Sequence, residues 1–143
     1  MEELFTAKLR ELERQYQDMR SQIALMQKKD HQEIKKEFQA KKNVYDKTMS
    51  LLQEKTKDCR SPAVKALNEA QTAYDMKIRK IMTEDMPRYM SGNDRQEAKV
   101  EAKALYAEYS IDFAVQAAQS ALLAVLSAID EQMNFEEWRK ENE

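Results

Sequence analysis

Asp30, His31, Glu33 and Glu37 come closest in this chain to residues whose types and spacing could do chemistry. On one helical face, the carboxylates at 30, 33 and 37 could hold a cation weakly. Lys29, Lys35 and Lys36 are interleaved with them, so the same spacing predicts ordinary i, i+4 ion pairing instead. His31 is the only histidine, and the residue three before it is Lys28, which excludes the paired Glu-x-x-His ligands of a helical di-iron site. Gly92 is the only glycine, so neither GxxxxGK nor GxGxxG can be written anywhere in the sequence. Cys59 is also single, which rules out an intramolecular disulfide and a cysteine zinc site. Lys57, Arg60 and the helix start at Ser61 could lower its pKa, but a plain loop thiol is the preferred reading. No catalytic residue, metal ligand or cofactor is assigned, and the chain is expected not to be an enzyme.

Binding chemistry has more material. Lys28, Lys29, Lys35, Lys36, Lys41, Lys42 and Lys47 form a basic patch, with Lys28, Lys35 and Lys42 on one side of a continuous helix and Lys29 and Lys36 together. Asp30, Glu33, Glu37 and Asp46 lie among them, and the patch contains no arginine. A solvated face, or an intramolecular partner for acidic segments, is therefore preferred to a nucleic-acid surface. The charge distribution agrees: residues 28–60 hold ten basic and six acidic side chains, residues 94–143 five and eleven. Met86, Tyr89 and Met90, and separately Phe135 and Trp138, are apolar groups outside the main stripes and are candidates for partner binding.

The elements that position these residues follow from composition. With 35% charged residues, one Gly and two Pro, the chain lacks material for hairpin turns and for a thick core, but has enough apolar residues for stripes along long helices. Phe5, Leu9, Leu12, Tyr16, Met19, Ile23 and Met26 recur at 4-3-4-3-4-3 spacing, a heptad seam in which d and a positions alternate. Asp30 falls on the next seam position, and the stripe resumes at Ile34, Phe38, Tyr45, Met49 and Leu52. Without Gly or Pro there, the pattern predicts one helix from about Glu2 to Lys57, bent near Asp30; a break into two helices is the alternative. Asp30 and His31 are read as a solvated bend in preference to a polar lock or pH switch.

Ser61 and Pro62 read as N-cap and first helical residue. They open a helix whose stripe is Val64, Leu67, Tyr74, Ile78 and Ile81 and which ends near Met86, because Pro87 disfavours helical geometry in the residue before it. A loop over 86–93 follows, and Asn93 or Asp94 caps a third helix to about Lys140. Within it, Ala114–Ile129 is apolar at all but four positions, with the stripe Ile111, Val115, Ala118, Leu122, Val125 and Ile129. Ala114, Ala117, Ala121, Ala124 and Ala128 form a second, small-residue side. Sixteen residues bracketed by Asp112 and Asp130 favour a buried bundle helix over a transmembrane one.

The expected fold is all-α: one domain over 1–143, an elongated antiparallel bundle or coiled coil of three long helices, or four if the first folds back near Asp30. An acidic, amphipathic N-terminus without a leader pattern predicts a cytoplasmic protein. The expected role is a non-enzymatic helical interaction protein, whether scaffold, adaptor, assembly factor or inhibitor. Its partner is expected to be another protein or a second copy, with a dimer favoured. Nucleic-acid binding through the lysine patch, and membrane binding through Ala114–Ile129, are the weaker alternatives.

Overall fold

The structure, a computed structural model, describes residues 2–90 and 94–143. It is all-α, in the order α1 (Glu2–Met26), α2 (His31–Lys57), α3 (Pro62–Lys80), a π-helical turn (Ile81–Asp85), α4 (Met86–Tyr89) and α5 (Arg95–Glu141). No strand occurs among the described residues. The chain divides into two units, Met1–Lys77 and Ile78–Glu143.

In the first unit, the single helix expected over 2–57 is two helices. The last turn of α1 tightens, with Lys28 N–H donating to Leu25 O at 3.1 Å and Lys29 N–H to Met26 O at 3.1 Å. Asp30 then takes extended geometry, and its Oδ1 accepts from Glu33 N–H at 2.9 Å. The residue that interrupts the seam is therefore an N-cap, and the cap's stabilisation outweighs continuing the helix through a charged seam position. Asp30→Ala is expected to cost about 1 kcal/mol of α2 stability, read as a lower midpoint in circular dichroism melting.

A short connection leads from α2 into α3. Asp58 N–H donates to Glu54 O, Lys55 and Lys57 sit at the carbonyl end of α2, and Val64 N–H donates to Ser61 Oγ at 3.4 Å, the expected cap. The two helices run antiparallel as far as Tyr45, whose hydroxyl donates to Asp75 Oδ1 at 2.6 Å. Along α2 the least exposed side chains are Glu37, Asp46, Met49, Leu52 and Thr56, and along α3 they are Asn68, Thr72, Asp75 and Ile78. Thr56 is buried, its hydroxyl bonded back to Leu52 O at 2.8 Å. Of the expected α3 stripe, Val64, Leu67 and Tyr74 are thus left exposed, while Ile78 and Ile81 are half-buried. The tight connection and the Tyr45–Asp75 bond orient α3 by its polar side.

In the second unit, Pro87 does not end the helical path. Met86 is in the right-handed helical region (φ −56°, ψ −41°), and its N–H donates to Ile81 O, one residue farther back than in an α-helix. Widening the turn lets the chain accept proline, whose ring would clash with the carbonyl four residues before it in regular geometry. Thr83 Oγ1 donates to Arg79 O at 3.0 Å within the same turn. Residues 86–89, expected to be loop, are therefore helical, and α4 packs on α5. Asp94 is the α5 cap, its Oδ1 accepting from Gln96 N–H at 2.8 Å; Asn93, the other candidate, lies outside the described residues. Glu97 in the first turn and Arg139 and Lys140 in the last suit the helix dipole. Asn142 closes the end on Trp138 O through its backbone N–H and Nδ2.

Candidate partner-binding surface

Among the described residues no hydrophobic side chain is buried. The α1 seam shows this most plainly. Leu9, Leu12, Tyr16, Met19 and Ile23 are 50–58% exposed, while Phe5 and Met26 at its two ends are half-buried. All seven lie on one continuous α-helix, so the 4-3-4-3-4-3 spacing places them along a single stripe. Most of the rest of the helix is charged or polar, with Leu4 and Leu25 exposed outside the stripe. Arg14 donates from Nε to Glu11 Oε2 at 3.0 Å and lies 3.5 Å from Asp18, and Gln15 Nε2 donates to Glu11 Oε1 at 3.1 Å.

The Arg14 and Gln15 hydrogen bonds hold the Glu11 carboxyl below its ordinary value, and the pairing raises Arg14. A carboxyl lowered in the helix stabilises it above the ordinary carboxylate range, and that contribution disappears as pH falls through the lowered value. Helicity of the protein should therefore drop on acidification, and Glu11→Gln should flatten that part of the titration. Because Glu11 is solvated, the difference is expected to be small.

The other sequence candidates separate. Lys28 and Lys29 lie in the turn between α1 and α2, whereas Lys35, Lys36, Lys41, Lys42 and Lys47 are on α2, so the helical stripes that would join the two groups are interrupted. Lys29 Nζ lies 3.8 Å from Glu33 and Lys41 Nζ 3.8 Å from Glu37, which engages two of the acids in i, i+4 pairs. No group of three or more His, Cys, Asp and Glu among the described residues is placed to hold a metal. Cys59 is half-buried, with Sγ 3.6 Å from Ser61 O. Met86 and Met90 are half-buried while Tyr89 is 70% exposed, so this trio does not form one open cluster. Phe135 and Trp138 stack with ring centroids 6.2 Å apart, both more than half exposed.

α5 departs furthest from expectation. Its apolar segment, expected to be covered, is open: Ile111, Val115, Leu122 and Ile129 are exposed. By length and composition α5 is also long and apolar enough to cross a membrane, with an 18-residue window of mean hydropathy 1.4, none of it buried. The sequence reading missed the stacked pair Tyr109 and Phe113 (6.2 Å between centroids) and the exposure of Leu123 and Leu126. The spacing of four between Tyr109 and Phe113 was the available signal. No protein family matches this chain, and neither a curated protein nor a solved structure is detectably similar to it.

Proposed function

We propose that this is a non-enzymatic helical interaction protein that completes its core by coiled-coil association, through the α1 seam, with a second copy or with another protein. The observation that carries this reading is the uncovered seam itself: five large side chains in heptad register, each about half exposed, on a helix whose other positions are mostly charged or polar. Burying the remaining half of each would contribute about 1 kcal/mol per residue, and a coiled coil is the geometry that buries a stripe of this width. Helices in bundle or coiled-coil contact would then form in the assembly. Scaffold, adaptor, assembly factor and inhibitor are roles of this type, and a cytoplasmic dimer is the favoured form.

The test is absolute mass by light scattering on a size-exclusion column at low and high salt. A dimer or larger species that persists in high salt supports the seam, because apolar contacts are not screened. A monomer at every concentration, with full helicity, refutes self-association through it. α5 favours a second reading, membrane binding, on the strength of its open 18-residue apolar window. Co-sedimentation with anionic vesicles would support that reading.

A further inference from the structure

We infer that α5 carries a second self-association surface, independent of the α1 seam, on which α5 of another copy docks antiparallel. Ile111, Val115, Ala118, Leu122, Val125 and Ile129 follow one another at 4-3-4-3-4 spacing. With Ile111 at d, the a positions are Val115, Leu122 and Ile129. Every polar residue of the segment 111–130 then falls at b, e or f: Asp112, Gln116, Gln119, Ser120, Ser127 and Asp130. None is at a, d or g. A bilayer would surround the helix and desolvate Gln116, Ser120 and Ser127 with the rest, whereas a helix docked on the a/d stripe leaves all six in water. Alanines at g (114, 121 and 128) let that helix approach closely.

Charge identifies the occupant and its direction. Carried outward, the same frame puts Glu101, Glu108 and Glu136 at a positions and Glu97 and Arg139 at d. A parallel, in-register copy would set each of the four glutamates against itself, which is destabilising. An antiparallel copy, centred between Ala118 and Leu122, sets Ile111 against Ile129, Val115 against Val125 and Ala118 against Leu122. Farther out it sets Glu101 against Arg139, once at each end by symmetry, and Glu136 against Ala104. Between residues 101 and 139 no like-charge pair then crosses the seam; Glu97 falls opposite Glu143, past the end of α5. Exposed Leu105 and Met133 meet along one flank. Asp112 lies beside Leu126 at the solvated edge.

In a Cys59→Ser background, chains carrying Ile111→Cys and chains carrying Ile129→Cys, with different tags, are co-expressed and oxidised. The expected product joins one chain of each kind, moving the 16.8 kDa band to twice that mass. Products joining two Ile111→Cys chains would overturn the antiparallel direction. Absence of any crosslink, with helicity retained, would overturn the pairing, as would its loss on adding phosphatidylglycerol vesicles that carry the protein down. Repeating the experiment with Leu12→Asp and Met19→Asp keeps this surface separate from α1: the crosslink should survive there, and its disappearance would overturn the independence. Arg139→Glu should weaken crosslinking, and adding Glu101→Arg should restore it; failure of the restoration would overturn the assigned register.

Discussion

Replacing Leu12 and Met19 by aspartate in the same chain, in an Arg139→Glu background that weakens the α5 pairing, is expected to convert the assembly to monomer in light scattering while leaving most of the helical signal in place. Both positions are 50% exposed in the single chain, so neither change disturbs packing within it. In a symmetric dimer the pair introduces four carboxylates into one seam. Each loses about 1 kcal/mol of apolar burial and adds at least as much in desolvation. Together that is on the order of 8 kcal/mol, roughly a 10⁶-fold weaker Kd. Some helicity would go with the partner, since isolated helices of this length are marginal in water. An unchanged mass would show that the seam is not an interface.

The second large effect runs the other way. Asn68 and Thr72 are half-buried polar residues on the side of α3 nearest α2, in a position that a hairpin stabilised by apolar contact would fill with leucine. Asn68→Leu with Thr72→Leu should therefore stabilise the hairpin by about 2 kcal/mol. For a domain of this size the melting midpoint should rise by roughly 8–16 °C, with Tyr45 and Asp75 left in place to hold the alignment. If the midpoint falls instead, the polar side of α3 is satisfying bonds that leucine cannot replace, or the apolar side Val64, Leu67 and Tyr74 is the one that packs in the assembled protein.

Local signals in this sequence translated well, and signals about faces did not. Ser61–Pro62 and Asp94 mark helix starts because a cap needs only a side-chain oxygen within three residues of the first free amides, and both were readable from the chain. The all-α class followed from the scarcity of glycine and proline. At Asp30 two local rules competed: absence of Gly or Pro argued for continuity, and the capping propensity of aspartate argued for a start. The cap prevailed because the heptad also lost its apolar residue there. Proline 87 was read as a stop, yet a wider turn admits it, an outcome that depends on backbone slack no pattern of side chains encodes. The orientation of α3 was beyond reach for a related reason. Periodicity identifies an apolar stripe but not the direction it faces, and a four-residue connection with one strong hydrogen bond settled the matter. The seven seam residues of α1 were legible as a stripe; that five of them stand about half exposed within the chain was not.

The wide turn at Ile81–Asp85 has a rotational meaning. One additional residue in a turn sets every later side chain back by about 100° around the axis. Residues before Ile81 and residues after Asp85 therefore keep separate angular bookkeeping, and a heptad count run straight through from Ile78 to Met90 assigns the later ones to the wrong azimuth. Pro87 acts as the pin that holds this offset. With alanine in its place the turn is free to close up by one residue, and the exposed Tyr89 ring would then swing about a quarter of the circumference to a new bearing.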